Sequence, residues 1–344
     1  MNRLLTVSFV LAGSLMRFGI LGLVAGTLVC QGLAFAQPAA NKPQWLYAHD
    51  LKVRKGGDSD WDKATKLGIE VFKDAGTGAA LAITQAGYLA VGPIGEVGSN
   101  KQVDWLFGHD LHSRKADEDR FNPNTTKYGV EVYKDGGSGK LLYLSQAAGV
   151  AFAEAKVGNT DKDPEWHHGL KLKVRTPLEE AFGPNTKKFG VEVFKDGNTG
   201  DLIYVTEAGL IALAKAPAMA PAKDAVKKPT ALYALSLRAR KADELDWTDK
   251  TKKYGIEVYK DENTNTLIYL TETGAIATVP TPAGIKEKQG VEWQRSMVLK
   301  PRPGGESSYA KANRFGVEVF LDKNTGNTIF LSDIGGIAVL PPKK

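Results

Sequence analysis

The nine residues KYGVEVYKD, Lys127–Asp135, recur along this chain with little change. The related copies are KLGIEVFKD, KFGVEVFKD, KYGIEVYKD and RFGVEVFLD, which begin at Lys66, Lys188, Lys253 and Arg314. The central glycines of successive copies lie 61, 61, 65 and 61 residues apart. A fixed period of this length is the signature of a repeat architecture. The 344-residue chain is therefore expected to contain five copies of one structural unit.

The residues around this motif have the same layout in every repeat. An alternating apolar segment that ends in an arginine precedes it, as in WLFGHDLHSR at 105–114, and predicts a half-buried strand. The GVEVY segment predicts a second strand. A turn rich in Asp, Gly and Asn, followed by an apolar run such as LLYLS at 141–145, predicts a hairpin into a third, buried strand. A second glycine turn leads into a fourth strand, such as LIAL at 210–213.

Four short antiparallel strands make a small sheet that is marginal alone, because one of its faces stays uncovered. Sheets that pack face to face solve this problem, so the sequence predicts an all-β fold, a five-bladed β-propeller within residues 37–344. The repeats cover approximately 44–92, 103–153, 164–214, 230–279 and 291–341. The alternative is a row of tandem small β modules. It is favoured by the linker-like, Ala-, Pro- and Lys-rich joints at 214–230 and 279–290.

The strand–glycine turn–strand pattern LIYLTETGAIAT, residues 267–278, resembles the blades of lectin-like five-bladed β-propeller repeat proteins. The similarity covers about 15 residues of each repeat, and the repeat here is longer. The resemblance implies a closed ring of blades. It does not carry any sugar-binding residue over to this chain.

Residues 1–36 are expected to be a signal peptide. Arg17 is followed by the apolar run FGILGLVAGTLVC and then by the small-x-small pattern Ala34-Phe35-Ala36, which predicts cleavage before Gln37. Translation from Met1 or from Met16 fits this pattern, and an uncleaved membrane anchor is the rival interpretation. The prediction is an exported protein: secreted, periplasmic or at the cell surface. The chain's one cysteine, at position 30, lies in this leader, so the mature chain is expected to contain no disulfide.

The charge pattern excludes some classes of partner. Without Arg3 and Arg17, the chain has 43 basic and 39 acidic residues, which alternate in sign. A nucleic-acid surface would show clustered Lys and Arg, and no internal apolar segment is long enough to span a membrane. The expected partner is a glycan or another cell-surface molecule, with no role for nucleic acid.

An arginine and a glutamate recur in every repeat. The arginines end the first strand: Arg54, Arg114, Arg175, Arg240 and Arg302. The glutamates lie in the middle of the second strand: Glu70, Glu131, Glu192, Glu257 and Glu318. A carboxylate between two apolar neighbours is costly unless it is paired, so we expect a structural ion pair that ties two strands within each repeat. The alternative function of these carboxylates is direct contact with a ligand.

A tryptophan begins the first strand in four repeats, at Trp45, Trp105, Trp166 and Trp293, and Ala231 replaces it in the fourth. Core packing is the first expectation for a repeated aromatic residue. The alternative is a ring of exposed aromatic side chains that stack on sugars, and these four tryptophans are the candidate binding residues.

The sequence predicts no catalytic residues, cofactor or metal site. It contains no recognisable nucleophile–base–acid set and no phosphate-binding glycine loop. The spacing of oxygen side chains in DENTN, 261–265, is partly that of a calcium loop, but a hairpin turn is favoured. Near-identical repeats favour a non-enzymatic, multivalent binding module. A structural or assembly scaffold is the second hypothesis, and a glycosidase-like propeller enzyme is the third.

Overall fold

The computed structural model describes residues 42–343, except 95–96, 99–100, 159, 178, 218–225 and 287. The predicted signal peptide lies outside the described residues. In the described part of the chain, no helix is long and apolar enough to cross a membrane.

Each repeat forms one antiparallel sheet of four strands, which pair in chain order. We number these sheets as blades 1 to 5. Blade 1 contains β1 (Gln44–Val53), β2 (Thr65–Lys73), β3 (Ala80–Thr84) and β4 (Leu89–Gly92); blade 2 contains β5 (Val103–Ser113), β6 (Thr126–Asp135), β7 (Lys140–Ser145) and β8 (Val150–Glu154). Blade 3 contains β9 (Glu165–Val174), β10 (Lys187–Lys195), β11 (Asp201–Thr206) and β12 (Ile211–Lys215). Blade 4 contains β13 (Thr230–Ala239), β14 (Lys252–Asp261), β15 (Thr266–Thr271) and β16 (Ile276–Pro280); blade 5 contains β17 (Val291–Leu299), β18 (Phe315–Asp322), β19 (Thr328–Ser332) and β20 (Ile337–Leu340). A single 3-10 turn, Trp61–Lys63, is the helical element among the described residues.

The blades close into a ring. The last strand of each sheet is its innermost one, and these five strands contact one another around a narrow central cavity of about 60 Å³. The contacts include β20 against β4, which joins the last blade to the first. The five-bladed propeller predicted from the repeat is confirmed, and the alternative of separate modules is wrong.

The hydrophobic core lies between adjacent sheets, in layers that each combine two blades. The layer between blades 5 and 1 packs Leu81 and Ile83 of β3 against Val317 and Phe330 of blade 5, and all four side chains are buried. Third strands are buried on both faces because each sheet has a neighbour on either side. This is why segments such as LIYVT, residues 202–206, are apolar at successive positions.

The glycine of the repeat motif is required by the contact between blades. A Cβ atom on Gly190 would lie 2.0 Å from the carbonyl oxygen of Arg114 in the preceding blade. The equivalent Cβ on Gly68 would lie 1.9 Å from the carbonyl oxygen of Arg302, across the junction of blades 5 and 1. The same glycine therefore sets the approach of neighbouring blades and the closure of the ring.

A β-bulge in the first strand decides which side chains face which neighbour. In blade 1 the register shifts between Trp45, which pairs with Phe72, and Tyr47, which pairs with Val71. Successive residues of a strand point to opposite faces, so the bulge puts Trp45 on the same face as Glu70, towards blade 5. Tyr47 then points to the opposite face, towards blade 2, where its hydroxyl donates to Asp135 Oδ2 at 2.7 Å.

Candidate binding sites between the blades

Each junction of two blades contains the same group of side chains, which we call an interblade site. An interblade site consists of the first-strand arginine of one blade, the aromatic residue seven positions after it, and two residues of the next blade: the glutamate of the repeat motif and the first-strand tryptophan, which Ala231 replaces at the junction of blades 3 and 4. The Arg Nε to Glu Oε1 distances are 2.7 Å for Arg54–Glu131, 2.6 Å for Arg114–Glu192, 2.5 Å for Arg175–Glu257, 2.8 Å for Arg240–Glu318 and 2.7 Å for Arg302–Glu70.

The ion pairs join two blades, so the expectation of a pair within each repeat is wrong. Arg175 contacts Glu257 of blade 4, and Glu192 of its own blade contacts Arg114 of blade 2. The physical reason is that first strands are the outer edges of their sheets, and the arginine continues from this edge towards the next blade. The last pair, Arg302 with Glu70, helps to close the ring.

The glutamates are almost completely buried, whereas the arginines are partly exposed. The Glu192 side chain is 3% exposed and the Arg114 side chain is 15% exposed. Glu192 accepts two hydrogen bonds from Arg114, at 2.6 and 3.1 Å, and a third from the Trp166 indole at 2.8 Å. A desolvated carboxylate is tolerated only with this degree of pairing. The Glu192 carboxylate is therefore engaged in hydrogen bonds within the protein that hold the two blades together.

The tryptophans lie at the surface, so the expectation of core packing is wrong. Their exposed fractions are 50% for Trp45, 46% for Trp105, 40% for Trp166 and 43% for Trp293. Each indole nitrogen donates to the glutamate of its own blade, at distances of 2.5, 2.7, 2.8 and 2.7 Å in the same order. The polar end of the indole is therefore satisfied and its ring orientation is set, while part of the apolar ring remains open to solvent.

A second aromatic residue lies beside three of the tryptophans, Trp105, Trp166 and Trp293. The Trp61 ring contacts Trp105 edge to face at a centroid distance of 5.5 Å, and the Arg54 guanidinium lies 4.6 Å from the Trp61 centroid. The equivalent residues are Phe121, Phe182, Trp247 and Tyr309, and each lies within 5.1 Å of its arginine. Their constant seven-residue spacing from the arginine is visible in the sequence, but the sequence does not show that Trp61, Phe121 and Trp247 meet a tryptophan of the next repeat.

Two of these junctions open into sizeable cavities. At the junction of blades 1 and 2, a cavity of about 550 Å³ is lined by Trp61, Trp105, Lys52 and Tyr133. At the junction of blades 3 and 4, Ala231 stands where other blades carry tryptophan, and a cavity of about 600 Å³ extends past Phe182 and Tyr259. Both cavities combine aromatic rings with lysine side chains.

A buried aspartate from each first hairpin forms a second contact between blades. Asp261 accepts from Tyr204 at 2.8 Å and lies 3.0 Å from His168 Nε2, both in blade 3. His49 and His109 occupy related positions beside Asp135 and Asp196. In the other two junctions, Tyr233 reaches Asp322 and Arg295 reaches Asp74. The sequence does not reveal these partners because their residue type changes from blade to blade.

Because Asp261 is buried and paired in this second contact, we expect the folded protein to lose stability in acid. Burial raises the pKa of Asp261, but hydrogen bonds from His168 and Tyr204 and the charge of His168 outweigh it and lower the pKa to about 2. Because the pKa is lower in the folded state, the stabilisation is complete above about pH 4 and is lost as the pH falls towards 2. We expect Asp261 to contribute about 2 kcal/mol to the free energy of unfolding.

Urea unfolding from pH 5 to pH 2 should show a shallower acid dependence for Asp261→Asn than for the wild type. The exposed control Asp50→Asn should follow the wild type, and parallel curves for Asp261→Asn and the wild type would contradict the prediction.

Comparisons with known proteins add little to this description. No protein-family model matches the sequence, and no curated protein sequence matches it. A solved structure that matches is selenomethionine-substituted virginiamycin B lyase from Staphylococcus aureus, with 11% sequence identity and a TM-score of 0.11 over 87% of this chain and 89% of that one. Similarity at this level carries no argument about function. The lectin resemblance receives no further support, and the propeller fold is the part of it that the structure shows.

Proposed function

We propose that this protein is a non-enzymatic, multivalent binding propeller whose interblade sites hold a glycan on exposed aromatic rings. The proposal rests on the hydrogen bonding and the solvent exposure of four side chains, Trp45, Trp105, Trp166 and Trp293. Each has its indole nitrogen bonded to a buried glutamate and 40 to 50% of its surface open. Aromatic rings with one apolar face exposed and one polar atom satisfied are suited to stacking on the apolar faces of sugar rings.

The rigidity of these rings favours binding. An indole that is already held by a glutamate loses little conformational entropy when a ligand packs on it, which lowers the cost of binding. Each site offers a small area and would be weak alone. Repetition around a ring raises the overall affinity when a ligand with repeating units engages several sites together.

The state of the repeated carboxylates argues against the glycosidase hypothesis. A glycosidase needs two carboxyl groups that face the scissile bond, one of which can give up a proton. Glu131 instead accepts hydrogen bonds from Arg54 and Trp105, and its side chain is 2% exposed. The absence of enzymatic activity remains a prediction. A structural scaffold without a small ligand is the second candidate, because the same contacts also hold the blades together.

Export remains a proposal that rests on the leader sequence. Cleavage after Ala36 would release a chain that begins at Gln37 and contains no cysteine. N-terminal sequencing of the protein recovered outside the cytoplasm should begin at this residue. A mature protein that retains Cys30 would contradict the proposal.

The binding proposal is tested with two matched quadruple variants at Trp45, Trp105, Trp166 and Trp293. Leucine at all four positions removes the stacking surface, whereas phenylalanine keeps an aromatic ring and loses only the indole hydrogen bond. On a glycan array, we expect the wild type and the phenylalanine variant to retain the same ligands. We expect the leucine variant to lose avidity by about 100-fold or more, since multivalent gains are of this order. No bound glycan, or equal binding by the leucine variant, would favour the scaffold hypothesis.

A further inference from the structure

The junction of blades 3 and 4 differs from the other junctions in ways that converge on one groove. The cavity of about 600 Å³ at its outer edge lies along β9 and extends to the junction with blade 4. Ala231 forms part of its wall, at the position where the tryptophan ring stands in the other blades. The small side chain therefore leaves open a space that an indole occupies elsewhere.

The groove is lined by several lysines, of which Lys171 has no lysine counterpart in the other blades, whereas the positions equivalent to Lys173 carry Lys52, His112, Arg238 and Lys300. Lys171 and Lys173 both point outwards from β9, and residues two apart in a strand lie about 7 Å apart on one face. The positions equivalent to Lys171 carry Asp50, Asp110, Ser236 and Val298. Lys227 and Lys228 line the same groove.

Few negative charges oppose these lysines. Glu192 is engaged by Arg114, which leaves Glu118 as the other acidic residue that lines the cavity. Lys171 contacts Asp119 at 2.6 Å, but this aspartate is 92% exposed, and exposed pairs contribute about 0–1 kcal/mol. The groove therefore has a clear positive balance.

An aromatic surface accompanies this charge. Phe182 is 45% exposed, and Lys173 Nζ lies 5.8 Å from the centroid of its ring. Tyr259 lines the same cavity, with its hydroxyl bonded to the Lys173 backbone. Cations spread along a strand beside an open aromatic ring suit an extended ligand with repeated negative charges and apolar ring faces better than a single small anion.

We propose that the groove along β9 is a binding site for an acidic saccharide, whose carboxylate groups contact Lys171 and Lys173 and whose ring packs on Phe182. The site goes beyond the proposed function, because it lies where the repeated tryptophan is missing and it selects for charge. It does not depend on the four tryptophan sites, and either proposal can fail without the other.

Two variants test the site by different routes. Ala231→Trp restores the residue of the other blades and fills the groove. The bulge at Ala231 has the same register as that at Trp45, so the indole should reach Glu257 without a change of backbone, and the fold should be retained. Lys171→Gln with Lys173→Gln removes two charges at the surface. The charge-matched control is Lys250→Gln with Lys286→Gln, two exposed lysines that line neither of the two cavities.

The measurement is isothermal titration calorimetry of the mature chain with an oligogalacturonate. A neutral cello-oligosaccharide of equal length and a single-stranded oligonucleotide serve as reference ligands. We expect Lys171→Gln with Lys173→Gln to weaken oligogalacturonate binding by about tenfold or more, since charge-assisted hydrogen bonds are lost. We expect a loss of similar size for Ala231→Trp, because the indole takes the space that the sugar ring would occupy. The control pair should change it by less than about threefold, because exposed charges elsewhere act only through screened, long-range interactions.

The proposal would be overturned if the wild type did not bind oligogalacturonate, or if the control pair lost as much affinity as the test variants. It would also be overturned if the wild type bound the cello-oligosaccharide or the oligonucleotide as tightly as oligogalacturonate. Equal binding of the oligonucleotide would indicate unselective attraction of polyanions. The quadruple leucine variant separates the two proposals. It should retain oligogalacturonate binding even where it loses the ligands of the tryptophan sites.

Discussion

Replacement of Gly190 by alanine should destabilise the propeller by more than about 3 kcal/mol or prevent folding. The new Cβ would lie 2.0 Å from the Arg114 carbonyl oxygen, and atoms of two backbones meet there, so a side-chain rotation cannot relieve the clash. Overpacking in a well-packed core typically costs about 1–3 kcal/mol, and a backbone collision belongs at or above the upper end of that range. The Glu207 side chain also joins these two blades, because its Oε2 accepts hydrogen bonds from the backbone N–H groups of Gly190 and Ala116, at 3.0 and 2.8 Å. Separation of the blades would strain these bonds.

Gly92→Ala is the matched control for this substitution. Gly92 is also a buried strand glycine, but its Cβ would lie 3.6 Å from the nearest atom, the Cβ of Phe152, which is an ordinary contact. Alanine at this position should change the free energy of unfolding by less than about 1 kcal/mol. Urea unfolding of both variants measures the difference. A Gly190→Ala protein as stable as Gly92→Ala would show that the blades do not approach as closely as described.

The second large effect is expected for Glu192→Gln, with a loss of about 3–5 kcal/mol of unfolding free energy. The substitution removes the counter-charge of Arg114 inside a junction where the carboxylate is 3% exposed. Loss of one partner of a buried pair leaves an uncompensated charge, which costs far more than the about 0–1 kcal/mol typical of exposed pairs. A change of less than about 1 kcal/mol would show that the carboxylate is not needed for the fold, and would favour a ligand-binding role.

A double-mutant cycle identifies the true partner of Glu192. Its coupling energy with Arg114→Met should exceed about 1 kcal/mol, because the two side chains share two hydrogen bonds. The cycle with Arg175→Met, in its own repeat, should give less than about 0.5 kcal/mol, because Arg175 bonds to Glu257. The reverse order of these energies would place the ion pair within a repeat and contradict the contacts described here.

These contacts together explain how the ring closes. Each repeat contributes all four strands of one blade. In the described part of the chain, no strand from one end joins a sheet formed by the other end. Closure relies instead on Arg302 with Glu70, on Arg295 with Asp74, and on the close approach of Gly68 to the Arg302 carbonyl. The junction of blades 5 and 1 is thus held by side-chain and packing contacts like those at the other junctions.

The candidate sites were only partly predictable. The four tryptophans, the arginines and the glutamates were all visible as repeated positions, because the period aligns the repeats without any other information. The exposure of the tryptophans was not visible, since simple alternation places Trp45 and Tyr47 on the same face of a strand. The bulge between them separates their faces. A bulge has no fixed sequence signal, so its effect appears only in the folded sheet.

The sequence by itself determined the repeat unit, the four strands of each blade, the hairpin turns and the need of a buried glutamate for a cation. These are local properties, set by the period, by the apolar alternation and by the turn residues. Only the tertiary structure decided that Arg114 pairs with Glu192 of the next blade and that Asp261 contacts His168. The groove that Ala231 leaves open beside Phe182 is likewise visible only in the folded protein. The physical reason is that equivalent repeats offer every arginine equivalent glutamates. Packing between neighbouring sheets, which brings together residues about 80 positions apart, selects one partner for each.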